Sequence, residues 1–219
     1  MPKRDAVATK ERLLKSGLAE FGKKGYGGAR TAKIVQRARC NIRLLYYYFG
    51  GKEGLYLACL ERVYTEIRDR ERDLNLEKVE PREAILQLVK FTFDHMLHNP
   101  DFVNIVSVEN TEGGRFLKKL ATLHGAARTH IDSVSEVLNR GGREGLFRVD
   151  IDPFQLYFSI LALSYLHLSN RHTLSVTYSL DLTNDEWLVE RKNHVSELIL
   201  SYLCDVTTRQ VSISTLNKR

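Results

Sequence analysis

The residues with the most distinctive chemistry cluster around position 45. On a helical register Arg43, Leu44, Tyr46 and Tyr47 share one side of a short segment, and Ile42, Leu45 and Phe49 share the other. An arginine and tyrosines on the exposed, N-terminal half of a short helix suit insertion into a DNA major groove. Flanking hydroxyls and amines would then hold phosphates.

Other chemistries lack their residues. No HExxH, GxSxG, Gly-rich phosphate loop or clustered carboxylates at helical spacing occurs, and Glu109 is a lone acid in a partly apolar helix, so no enzyme is expected. Cys40, Cys59 and Cys204 are scattered without ligand spacing. His95 and His98 sit three apart with no third ligand, so neither a metal nor another cofactor is expected. Scattered cysteines read as reduced thiols in a cytosol. No apolar run approaches a membrane-spanning length, so a soluble cytoplasmic protein with no membrane partner is expected.

The elements that must position this face follow from periodicity and punctuation. A first helix over about 5–24 carries Leu14, Leu18 and Phe21 on one stripe. Two short helices, near 31–38 and 42–48, are joined by a three-residue turn, and Asn41 caps the second. Neither can form a core alone, so both must pack on the first helix. A longer helix starts at about Lys52, with Leu55, Cys59, Val63 and Ile67 every fourth residue. Pro81, Pro100 and Pro153 open further apolar-periodic stretches, at the first-turn position where a missing N–H costs nothing. The spacing predicts helices over 81–98, 100–110, 114–120, 123–140, 153–172 and 184–205, with glycine pairs such as Gly141-Gly142 as breaks and Thr183/Glu186 as a capping box. Leu174, Val176, Tyr178, Leu180 and Leu182 alternate with polar residues as in a strand, yet no strand partner is evident, so an extended loop is expected there. The fold class is all-α: a three-helix head over 1–51, a helical body over 52–205 and a flexible tail over 206–219.

Charge supports this division. The chain of 219 residues carries net charge +6, but residues 1–52 hold 13 Lys/Arg against 3 Asp/Glu, while the rest hold 20 against 24. A basic head on a mildly acidic body reads as one segment facing a polyanion.

Residues from about 10 to 64 resemble the DNA-binding head of the TetR (tetracycline repressor) family. The motif runs from Phe21 through Gly25-Tyr26, Ile34-Val35 with Ala38, and Leu45-Tyr46-Tyr47-Tyr48-Phe49 to Lys52-Glu53 with Leu55. The resemblance implies a helix-turn-helix regulator that binds double-stranded DNA. It places Thr31 and Asn41 on phosphates, Arg43, Leu44 and Tyr47 on base edges, Tyr46 and Tyr48 at the rim and backbone, and Lys52 on a phosphate at a helix N-terminus. Arg39 departs from the pattern, which has a small residue or glycine there. Either the turn is irregular or the arginine itself reaches phosphate. Arg43 stands where glycine is frequent, which puts an inherited operator preference in doubt.

For the body, the resemblance implies a homodimer that pairs the helices near 153–172 and 184–205 across a two-fold axis. Phe154, Tyr157, Phe158, Leu161 and Tyr165, with Trp187, Val195, Leu198, Ile199 and Tyr202, give these helices more apolar surface than one internal face requires. It further implies repression of a palindromic operator, released by a small-molecule effector. Phe91, His95, Phe102, Ile105, Glu109, Phe116 and His167 are the candidate effector contacts, although aromatics at helical spacing serve equally as core. A small helical enzyme, or an adaptor using the basic head on an acidic surface, are the rival readings. Salt-dependent preference for one DNA sequence separates them from a regulator.

Overall fold

Helices account for most of the backbone in the computed structural model, which describes residues 3–120 and 122–204. They are α1 (Lys3–Gly28), α2 (Thr31–Arg37), α3 (Ile42–Phe49), α4 (Lys52–Asp73), α5 (Pro81–His98), α6 (Pro100–Thr111), α7 (Thr122–Arg143), α8 (Pro153–Ser169), α9 (Arg171–Tyr178) and α10 (Asp185–Cys204). No strand occurs among the described residues. None of the described helices is long and apolar enough to cross a membrane. The tail expected over 206–219 lies outside the described residues.

The chain divides into two compact units, one of Met1–Arg70 with Met96–Ala127 and one of Glu71–His95 with Arg128–Arg219. Unit 1 contains the head together with α6. Its core is aromatic: Tyr56 meets Phe21 at 4.9 Å and Phe116 at 4.7 Å, and Tyr26 lies 4.3 Å from Phe116 between ring centroids. Gly17 and Gly22 let α1 approach closely, since a Cβ at Gly17 would meet the Cys59 Sγ at 3.1 Å and one at Gly22 the Asn104 Cβ at 3.0 Å. Unit 2 is built on Leu88, Val89, Val134, Val137, Leu156, Ile160, Val195 and Ile199, all fully or almost fully buried.

Four expectations are corrected. Residues 171–178, expected as the start of an extended loop, form a helix, which satisfies their backbone polar groups locally. Val176, Tyr178 and Leu180 are exposed, so their alternation does not mark a buried face. The helix expected over 114–120 shrinks to a 3-10 turn, Leu117–Lys119. Its approach is fixed by Glu109, whose Oε1 accepts the amides of Phe116 and Leu117 at 2.8 and 2.9 Å. Gly141-Gly142 does not break α7, which continues to Arg143. A Cβ at Gly141 would lie 2.1 Å from the Phe147 ring, so this glycine is a notch for Phe147. The cap of α10 is Asn184, whose Oδ1 accepts the Trp187 amide at 3.0 Å, while Thr183 is held by Asp181 instead of forming a capping box with Glu186.

The other oxygen of Glu109 accepts from the Tyr56 hydroxyl at 3.1 Å. Burial, followed by the Glu109 charge, pushes the Tyr56 phenol well above its ordinary range, so it stays a donor. Tyr56→Phe removes one of three donors to a buried carboxylate and should cost about 1–3 kcal/mol in a denaturation measurement. In unit 2, His167 is buried, with its ring 5.1 Å from Phe93 and 5.5 Å from Trp187. Burial, with a contribution from Arg191, lowers its pKa to about 4. The unfolded chain takes up this proton near pH 6.5 and the folded chain does not. Stability from this group is therefore complete above pH 6.5 and declines as pH falls toward 4. Denaturant midpoints measured across that window should flatten in His167→Leu relative to the parent.

Candidate nucleic-acid interface

The geometry of the head begins with the turn between α2 and α3. Helix α2 buries Ile34, and Ala38 is buried just beyond its end. The amide of Cys40 bonds to the Val35 carbonyl at 3.1 Å and that of Arg39 to the Gln36 carbonyl at 3.2 Å, the paired closure of a Schellman turn. Its left-handed position falls on Arg39, with φ 50°. Arginine occupies a conformation that glycine adopts without cost, and it is exposed three residues before α3. Replacing it separates two effects. Arg39→Gly should raise stability by up to about 1 kcal/mol. It should also lower the salt slope of DNA binding by about 0.9, if the side chain neutralises a phosphate.

Two α1 side chains fix the orientation of α2. Arg12 Nε donates to the Ala38 carbonyl at 3.1 Å, a cation at a helix C-terminus. Glu20, almost fully buried, accepts the Arg30 amide at 3.4 Å on Oε1 and stands 4.0 Å from Arg37 on Oε2. Sequence reasoning missed both. The only available signal was a polar residue on the α1 side that faces α2.

Helix α3 opens on Asn41, whose Oδ1 accepts the Arg43 amide at 2.8 Å. Leu45 is its one fully buried residue. Ile42, expected in the buried row, is 37% exposed, because the short helix touches its neighbours mainly through Leu45. Phe49 is half-buried, with the Lys10 ammonium 5.8 Å from its ring centroid. Helix α3 ends at Gly50, in the left-handed region at φ 70°. The next helix then passes so close that a Cβ at Gly54 would lie 1.8 Å from the Phe49 carbonyl oxygen. Glycine at 54 therefore sets where the end of α3 rests.

Of the four residues expected on the outer face of α3, three are exposed. Arg43 is exposed and Leu44 half-buried. Tyr47 stands 80% exposed and Tyr46 56%. Tyr48 is half-buried and meets Tyr47 edge-on at 5.1 Å. Thr31, the first residue of α2, is half-buried. Lys52 begins α4 with its Nζ 3.4 Å from the Gly27 carbonyl and 4.8 Å from the Tyr26 ring centroid, which ties the end of α1 to the start of α4. An ammonium has two further protons for an anion.

The candidate effector contacts are divided between the two units. Phe102, Ile105, Glu109 and Phe116 belong to unit 1, and Phe91, His95 and His167 to unit 2. All but Phe91 are buried, and the Glu109 carboxylate is bound to protein donors. No group of three His, Cys, Asp or Glu side chains able to hold a metal occurs among the described residues.

A capped short helix with an exposed arginine and tyrosines, set on a basic three-helix head, defines a helix-turn-helix DNA-binding protein. Residues 13–59 match the model of the bacterial regulatory proteins of the tetR family, and residues 81–199 match the tetracyclin repressor-like C-terminal domain. The chain is 33% identical over 195 residues to the HTH-type transcriptional repressor NicS of Pseudomonas putida, a match that covers 89% of this chain and 92% of that one. Its fold is similar to that of the ketosteroid transcriptional regulator KstR2 of Mycobacterium tuberculosis (TM-score 0.69, 19% identity, 93% of this chain and 96% of that one). It is also similar to FadR of Bacillus subtilis in complex with stearoyl-CoA (TM-score 0.67, 16% identity, 88% of this chain and 98% of that one). The chain belongs to the TetR family of transcriptional regulators, and it is a regulator and not an enzyme.

Proposed function

We propose that this regulator is a repressor that binds a palindromic operator as a homodimer and leaves it when a small-molecule effector binds. The observation that carries the reading is Tyr47, a large side chain held 80% exposed on α3 beside Arg43. Tyr47 shares that face with the exposed Tyr46, and adjoining exposed rings beside a cation form a patch of the kind that marks an interaction site. Arg43, Leu44 and Tyr47 read base edges, and Thr31, Asn41, Tyr46, Tyr48 and Lys52 flank them toward the backbone. The name of its NicS relative supports repression, and the acyl-CoA bound to FadR supports an effector.

Within unit 2 the outward apolar residues of α8 and α10 support dimerisation. Phe154, Phe158, Leu198 and Tyr202 are exposed, whereas Tyr157, Val195 and Ile199 are used inside the unit. Two copies joined there would present two heads, and two-fold symmetry in the protein demands an inverted repeat in the DNA. Selection of duplexes from a random pool tests the reading. An enriched inverted repeat is expected; a pool left unenriched even at low salt contradicts it.

A further inference from the structure

Helix α4, the 3-10 turn Leu117–Lys119 with the residue after it, and α7 wall a cavity of about 150 Å³ lined by Tyr64, Arg68, Leu117, Leu120, Leu123 and Ala127. All six belong to unit 1, and none is a residue expected from the sequence. Four of the walls are aliphatic. Among the described lining residues, Arg68 contributes the one charge and Tyr64 the one hydroxyl.

Size and lining restrict the occupant. A dry apolar cavity of about 150 Å³ accepts a benzene-sized molecule. A guanidinium in the wall favours a carboxylate, which it can meet with two parallel hydrogen bonds.

The cavity wall is also wired to the head. Leu117 lines the cavity, and its amide is one of the two that Glu109 holds, at 2.9 Å. Glu109 in turn holds Tyr56 of α4, and Phe116 packs on both Tyr56 and Tyr26 of α1. Two residues past Leu117, Lys119 pairs with Glu53 at 2.5 Å in the first turn of α4, next to Lys52. A molecule that displaces the Leu117 wall therefore pulls on the contacts that set the ends of α1 and the start of α4. Those are the supports of α3.

We infer that this cavity is the effector site and that it takes a compact organic acid. One ring or a short branched chain lies against Leu117, Leu120, Leu123 and Ala127, and the carboxylate meets Arg68. The inference rests on the reading of the chain as an effector-released repressor. The ligand acts by binding better to the arrangement in which the head no longer fits its operator.

Benzoate, phenylacetate and isovalerate, with benzyl alcohol as the neutral control, are the probes. Calorimetric binding and operator release are read on the full chain, Arg68→Met and Leu123→Trp, each checked for native helicity. At least one acid should bind the parent about tenfold more tightly than benzyl alcohol and weaken operator binding by about tenfold or more. Arg68→Met should erase the preference for the acid, and Leu123→Trp should bind neither class while keeping its operator. The inference is overturned if no acid binds the parent, if an acid binds without releasing the operator, or if both variants bind it as the parent does. Failure of the unliganded parent to bind any operator sinks the repressor reading instead.

Discussion

Arg43→Ala and Tyr47→Ala should each lower affinity for the selected operator by about 1–3 kcal/mol, roughly ten- to a hundredfold, with little change in melting temperature. Both side chains are exposed on α3, and neither takes part in the core of the head. Truncation therefore removes contacts to DNA and leaves the fold its buried anchor, Leu45. The two losses should differ in kind. Removing Arg43 relaxes preference at one base pair per half-site, since an arginine fork reads guanine O6 and N7, and it leaves nonspecific binding weaker by one charge. Removing Tyr47 takes away apolar and hydroxyl contact without a charge, so the salt slope should stay the same. Equal affinity of both variants and the parent, measured by fluorescence anisotropy, contradicts the assignment of this face.

Gly54→Ala should affect stability and binding together. The added methyl would stand 1.8 Å from the Phe49 carbonyl oxygen, and that neighbour is backbone, not a side chain free to rotate away. Either α4 or the end of α3 must move. Overpacking of this kind costs about 1–3 kcal/mol, and the movement falls on the helix that carries Arg43 and Tyr47. A lower denaturation midpoint and loss of operator binding are the expected results. A crystal structure of the variant with α3 in its parental position would show that the close approach is not what sets the helix. Gly17→Ala is a useful comparison, because the nearest atoms there are the Cys59 and Leu55 side chains at 3.1 and 3.3 Å, which can adjust.

The head was legible because its signals are local. A cap at Asn41, an apolar row of Ile42, Leu45 and Phe49 and a glycine stop at Gly50 each act within one or two turns; the structure keeps the cap and the stop, and of the row it buries Leu45 fully, Phe49 in part, and leaves Ile42 exposed. The need for Arg39 to accept a turn conformation was likewise visible from its place in the motif. Long-range polar contacts were not. Arg12 reaches 26 residues along the chain to Ala38, and Glu20 spans ten to Arg30, and no periodicity announces such pairs. In the body, an apolar residue at helical spacing looks the same whether it faces a neighbour or a cavity. Phe102, Ile105 and Phe116 are buried, while Leu120 and Leu123 line open space. Residues 174–182 misled for a related reason: without a strand partner the alternation pointed to an extended loop, whereas residues 171–178 pair their backbone groups locally in a helix.

Methylation interference on the selected operator tests the central claim most directly, because guanine N7 lies in the major groove and adenine N3 in the minor. The account predicts that N7 methylation blocks the parent in two half-sites related by a two-fold axis. One blocking guanine per half-site should cease to matter in Arg43→Ala. Interference confined to minor-groove adenines, or a guanine pattern identical in the parent, Arg43→Ala and Tyr47→Ala, would mean that α3 does not read the bases.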